Sequence, residues 1–281
     1  MIKAEAILLT KGKKLHSPRY VDMMGMWGYR TAQHQNEMIN AAQDVQNTML
    51  LSSRGLGRTL VGANIALMDS TVNADCHNVV VAPTIRQAWI IYTEIYKAIT
   101  TSSFLIHNVD SNCLVDGNGE PTEESFFSLK FRNGSSVRFT TIKYLPKMLD
   151  ALQKKSVFLN RLIVEEFKQA DEQFVYDVLG WSINSKSTNS SPFSSMLILS
   201  SFLSQDDPAF RVQVAWMNQH LNEKGGNRLF HVLTYTVDDA PEGYLDRKML
   251  RETRDTFRDE RYAIEMYGAA LRTTFFSPDP H

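Results

Sequence analysis

Cysteine is nearly absent. Cys76 and Cys113 are the only two in 281 residues, too few for a disulfide framework and without the paired spacing of a zinc site. That usage suits a reducing compartment. A surplus of either charge is also missing: 30 Lys and Arg against 31 Asp and Glu leave a net charge of −1. No bulk basicity advertises nucleic acid, so any such contact must come from local patches. No apolar run approaches membrane-spanning length, and the N-terminus lacks the apolar core of a signal peptide. A soluble, cytoplasmic protein without membrane partners is expected. Repeats and low-complexity tracts are absent too. What is present is ordinary globular composition, 43% hydrophobic and 22% charged, in a chain long enough for one large domain or two modest ones.

The most informative stretch is Leu50-Leu51-Ser52-Ser53-Arg54-Gly55-Leu56-Gly57-Arg58-Thr59. An apolar strand candidate, Met49 to Leu51, feeds a small-residue turn, and a helical pattern runs from Thr59 to Met68. Strand, loop and helix in that order are the context of a phosphate-binding P-loop. Gly55 and Gly57 let consecutive backbone N–H groups curl towards an anion, and the helix N-terminus adds its positive dipole end. Thr59 stands where a P-loop hydroxyl meets Mg²⁺. Two positions depart from the G-x-x-x-x-G-K-[ST] pattern: Ser52 replaces the first glycine and Arg58 the lysine. Arginine keeps the charge, but its planar fork is not interchangeable with an ammonium. Without support from elsewhere, the stretch also reads as a glycine-rich turn with no ligand.

Support comes from Arg161-Leu162-Ile163-Val164-Glu165-Glu166-Phe167, a buried-strand pattern ending in adjacent carboxylates. Adjacent residues at a strand end point differently, which suits two roles: one acid in a metal shell, the other polarising water. The structural alternative is a strand end followed by a helix whose first turn favours acids, including Asp171 and Glu172.

Further strands are expected at 78–82, ending in Pro83-Thr84 before a helix over 86–100, and at 196–199, ending in Ser200-Ser201. Ser182 to Ser195 reads as a Ser/Asn-rich loop. Ser128–Arg132 and Ser136–Thr140 flank Asn133-Gly134, a hairpin signal. Asp207-Pro208 opens a helix to about Lys224, and 231–236 is another strand candidate. Upstream, Gln33 or Gln35 could read an adenine edge, or be a solvated helix glutamine. The acidic turn-rich segment 110–125 does not fit an EF-hand. Arg247, Arg251, Arg254, Arg258 and Arg261 fall on one helical stripe, either salt-bridged or facing phosphates or a neighbouring subunit.

The order of these motifs resembles the ATPase domain of the large terminase subunit of tailed bacteriophages, the motor that pumps DNA into a procapsid. The carrying pieces are Tyr29 to Gln35, the loop with Arg54, Ala82-Pro83-Thr84…Gln87, Leu162 to Glu166, Ser200-Ser201, and Arg258-Asp259-Glu260-Arg261-Tyr262…Met266-Tyr267-Gly268. The resemblance implies an α/β P-loop NTPase of the additional-strand (ASCE) type, with a mostly parallel sheet flanked by helices. It places an ATPase core over 1–205 and a small C-terminal lid subdomain over 206–281.

It also implies ATP and Mg²⁺ as cofactors, held at Ser52, Ser53, Arg54, Gly55, Leu56, Gly57, Arg58 and Thr59, with Gln33 or Gln35 beside them. Arg58 takes the phosphate-lysine position, with Arg54 alongside. Thr59 and Glu165 match the metal side, Glu166 the catalytic glutamate, and Ser200 and Ser201 the coupling motif. Arg132, Arg138 and Arg211 are open candidates for an arginine finger. The implied partners are double-stranded DNA, a portal protein, a small terminase subunit and further copies in a ring, in the host cytoplasm. No nuclease domain is expected within these 281 residues. A nucleotide-binding module that does not hydrolyse, or a helicase-like ATPase, are the other readings.

Overall fold

β-Branched and leucine-rich runs of about six residues set the frame. β1 (Asn47–Ser52), β2 (His77–Ala82), β3 (Phe127–Lys130), β4 (Ser136–Thr141), β5 (Leu159–Val164), β6 (Phe193–Ser200) and β7 (Phe230–Tyr235) form one sheet in the order β3-β4-β2-β5-β6-β1-β7. Only the β3–β4 pair is antiparallel. The computed structural model describes residues 19–110, 127–184, 192–222 and 229–246, with 248, 250, 252 and 266.

Period-two alternation sends the strand side chains into two cores. Leu50, Val80, Ile163, Leu197 and Leu199 face helices α2 (Gln33–Asp44), α3 (Arg58–Val72) and α4 (Ile85–Thr101). Met49, Leu51, Val79, Val81, Leu162, Val164, Met196 and Ile198 face α6 (Leu145–Gln153), α7 (Glu172–Asn184) and α8 (Phe210–Asn222). Two short helices complete the order, α1 (Tyr20–Met26) and α5 (Ser103–Asn108). Burial on both faces is the reason the parallel strands read as near-continuous apolar runs. β6 lies between β1 and β5, which is the additional strand the fold class requires. The expected hairpin is present, with Gly134 at φ +88° closing the turn and Phe131 N–H donating to Ser135 O at 2.9 Å.

Several boundaries differ from expectation. The core does not end at residue 205: β7 pairs with β1 along its whole length, from Asn47↔Phe230 to Ser52↔Tyr235. Trp216 of α8 packs edge-on against Phe230 at 5.5 Å, so 206–235 belongs to the same sheet and core. The start and end of the expected 182–195 loop belong to α7 and β6. The arginine stripe from Arg247 to Arg261, and the acidic stretch after Asp110, lie outside the described residues. Among the described residues no helix is long and apolar enough to cross a membrane.

A buried polar triad fixes α1 and α3 to the sheet. Arg161 Nε donates to Asp69 Oδ2 at 2.7 Å and Tyr20 Oη to Asp69 Oδ1 at 2.5 Å, while Arg161 Nη1 donates to Ala42 O at 3.0 Å. Burial, reinforced by Asp69, pushes the Tyr20 hydroxyl up, so it remains a donor. Removing one partner of a buried pair strands the other charge. Asp69→Ala is expected to cost about 3–5 kcal/mol and Tyr20→Phe about 1–2 kcal/mol in urea unfolding; equal, small effects would contradict this account.

Candidate nucleotide-binding site

β1 ends at Ser52, and the turn from Ser53 to Gly57 delivers the chain into α3. Gly55 and Gly57 take φ of +84° and +80°, a conformation in which side chains are strained. At Gly57 a Cβ would also collide with Gln35 Nε2. Leu56 is fully buried and pins the turn. Its carbonyl accepts from His34 Nε2 at 3.0 Å and Gln35 Nε2 at 3.4 Å. Gln35 Nε2 also donates to Tyr244 Oη at 2.7 Å, and the His34 and Tyr244 rings meet edge to face at 4.6 Å.

Of the two glutamines, the structure therefore brings Gln35 to the loop. Gln33 is exposed and lies against Glu37 of its own helix. His34 and Tyr244 were not singled out from sequence. His34 could have been, since it shares the buried side of α2 with Gln35, Met38 and Ile39; nothing local marks Tyr244. Arg54 is exposed at the tip of the turn, and Ser53 Oγ donates to Met266 O at 2.6 Å.

Opposite the turn stand the two carboxylates of the β5 end. Glu165 N–H continues the sheet by donating to Val81 O at 2.8 Å. Its buried Oε1 accepts from Thr59 Oγ1 at 2.6 Å, and Oε2 is buried with no partner. Burial pushes the Glu165 carboxyl up to about 7, with Glu166 adding to the shift and Arg58 and Thr59 opposing it. Strand alternation would send the next side chain to the other face. Glu166 instead adopts φ +50°, ψ +47°, a left-handed conformation that costs a non-glycine residue about 1–3 kcal/mol, and it pairs with Arg58. Arg58 Nη1 also donates to Ser52 O at 3.1 Å, and its Nε is buried without a partner.

Ser200 and Ser201 are buried at the end of β6, between the two halves of this site. Ser200 Oγ accepts from Lys168 N–H at 3.0 Å, in the turn that follows Glu166. In that turn Gln169 Oε1 accepts from Gln87 Nε2 at 3.1 Å, beyond the end of β2. The strand ends are thus joined in series from β6 to β5 to β2. Of the arginine-finger candidates, Arg211 pairs on the surface with Glu172 at 3.0 Å. Arg132 and Arg138 sit by the opening residues of β4 and β2, at the opposite end of the sheet, and neither can reach this chain's own turn.

The fold is that of P-loop NTPases of the additional-strand type. Solved structures of similar fold are the large terminase ATPase domain of Thermus phage P74-26, at 15% identity over 88% of this chain and 96% of that one with a TM-score of 0.56, and the large terminases of bacteriophage HK97 and of a thermophilic bacteriophage. The HK97 protein is 12% identical over 88% of this chain and 53% of its own, with a TM-score of 0.58. The protein of the thermophilic phage, in complex with ADP, is 13% identical over 89% of this chain and 59% of its own, with a TM-score of 0.56. This chain thus has the fold of the large terminase ATPase domain, and spans about half of the HK97 protein. No family model and no curated protein matches the sequence.

The residues present fit a divalent cation. The partnerless Glu165 Oε2 beside the Thr59 hydroxyl offers hard oxygen donors. Among the described residues no cluster of three His, Cys, Asp or Glu forms, so the remaining ligands would be water and substrate oxygens.

The raised Glu165 carboxyl has a signed consequence for the ligand-free protein. Its folded pKa of about 7 exceeds the ordinary 4.5, so the folded state retains a proton that the unfolded chain releases. Stability from this group is complete below about 4.5 and lost as pH rises through about 7, on the order of a few kcal/mol. The melting temperature of Glu165→Gln minus wild type should therefore increase between pH 5 and 8; a flat difference would refute the assignment.

Proposed function

We propose that this chain is an ATPase, and that its hydrolysis drives double-stranded DNA into a viral procapsid. The observation that carries the reading is the convergence on one P-loop of Thr59 with Glu165 and of Arg58 with Glu166. The fold of large terminase ATPase domains supports it. The P-loop N–H groups and the α3 N-terminus bind the phosphates. Thr59 and Glu165 would hold Mg²⁺, which would supply positive charge against the phosphates. Glu166 accepts a hydrogen bond from the attacking water and orients it in line.

The Arg58–Glu166 pair gives this site a resting state. While Arg58 holds Glu166, the carboxylate is engaged and water is not activated. A bound γ-phosphate competes for the guanidinium and releases Glu166, so the base becomes free only when substrate is in place. The Ser200–Lys168 bond then carries the movement of the Glu166 turn to β6. We further propose a ring of copies docked on a portal protein, fed by a small terminase subunit, in the host cytoplasm.

The same ion pair favours a second reading, a module that binds nucleotide without hydrolysing it. ATP turnover by the full chain, with and without duplex DNA, separates the two. Turnover stimulated by DNA and reduced about 10²–10⁴-fold in Glu166→Gln, with ATP binding retained, is expected. Binding without turnover, even at concentrations where rings form, would select the second reading. Arg58→Ala should weaken ATP binding by about 10–100-fold, the loss of a charge-assisted contact of about 1.5–3 kcal/mol; unchanged affinity would remove Arg58 from the site.

A further inference from the structure

At the end of the sheet away from the P-loop, the first residues of β2 and β4 and the β3–β4 turn enclose an open-mouthed cavity of about 610 Å³. His77, Asp110, Lys130, Arg132, Ser136 and Arg138 are among its lining. Three cations thus face one carboxylate in a chain whose overall charge is near neutral.

Arg138 is the anomaly. It is half-buried, burial pulls its guanidinium down from the ordinary arginine value, and its side chain donates through Nη1 to Ser136 Oγ at 2.6 Å. Among the described residues no carboxylate forms an ion pair with Arg138, Arg132 or Lys130. A guanidinium withdrawn from water without a counter-charge is costly. Ser136 Oγ accepts from Arg138 and lies 3.0 Å from His77 Nδ1. Burial first, and the Arg138 charge second, hold His77 below its usual range, with Asp75 opposing them.

Two guanidinium forks and an ammonium around one space, with the His77 ring beside them, match a tetrahedral oxyanion carrying two negative charges. The volume exceeds that of phosphate alone and leaves room for the group it is attached to. We propose that this cavity is a second anion site, binding a phosphoryl group of a phosphorylated small molecule or of a nucleic-acid backbone, independently of the P-loop.

Calorimetric titration of inorganic pyrophosphate into the full chain carrying Arg58→Ala, which weakens the P-loop, tests this without relying on ATPase activity. One binding event is expected, weakened at least ten-fold by Arg138→Gln and by Arg132→Ala. Arg138→Lys, which keeps the charge but loses the fork, should fall between. Arg132 is exposed on the turn, so Arg132→Ala should fold normally, and thermal melts of each variant check this. A 5′-hydroxyl DNA duplex that displaces pyrophosphate would identify the nucleic-acid backbone as the source. Failure to displace it would leave the phosphorylated small molecule. Heats of dilution alone, or binding indifferent to both arginine substitutions, would overturn the proposal.

Discussion

The structure depends on how tightly α3 is held against β5 across the intervening β6. Arg161, Ile163 and Glu165 share the strand face that looks toward α3, because side chains two apart in a strand point the same way. Ile163 is apolar packing, but its neighbours two residues either side are ionisable and buried. Each meets a partner on α3: Arg161 meets Asp69 in the last turn, and Glu165 meets Thr59 in the first. One helix is thus pinned to one strand at both ends by polar contacts, and the apolar middle fixes the spacing. Gly62 allows the approach, since a Cβ there would come within 2.5 Å of Leu199 Cδ1 on β6.

From that clamp the geometry of the site follows. With α3 fixed along β5, the P-loop that precedes it has one place to be, directly across Ser200 and Ser201 from the carboxylates. The strand between ends in two small, buried side chains, Ser200 and Ser201. Glu166 is the one element that regular strand geometry does not deliver. Alternation would point it away from Arg58, and the left-handed backbone at this residue turns it back. The Arg58 ion pair holds Glu166 in that conformation, at a site otherwise built from regular elements.

Much of this was legible in the chain. The apolar runs at 49–51, 78–82, 162–164 and 196–199 gave the parallel strands because parallel strands are buried on both faces and need no alternation to be seen. Gly55, Gly57 and the Glu165-Glu166 pair were legible because few backbone geometries need those residues there. The Asn133-Gly134 turn was legible for the same reason. Other parts had no local signal. β7 was visible as a strand, but its partner was not, since the pairing joins segments about 180 residues apart and is backed by α8, whose Trp216 meets Phe230; the boundary drawn at 205 cut through the sheet. Tyr244 reaches Gln35 across 209 positions of sequence, a relation that no periodicity encodes. Gln33 and Gln35 were indistinguishable as residue types, and burial of one face of α2 separates them.

The hairpin arginines show the same limit from the other side. Arg132 and Arg138 read as cations in search of a role, and a P-loop elsewhere in the chain made a phosphate-directed role attractive. Register excludes that role at this chain's own P-loop. β4 runs parallel to β2 with Ser136 opposite His77 and Thr141 opposite Ala82, so five residues, roughly 17 Å at 3.3 Å per residue, separate the opening of the strand from the edge that carries the P-loop, and Arg138, opposite Val79, lies three residues, roughly 10 Å, short of it. Charge at that end of the sheet is not part of this chain's own P-loop site. Among the described residues Arg138 is half-buried without a carboxylate partner, and that is the ground on which an anionic ligand is proposed there.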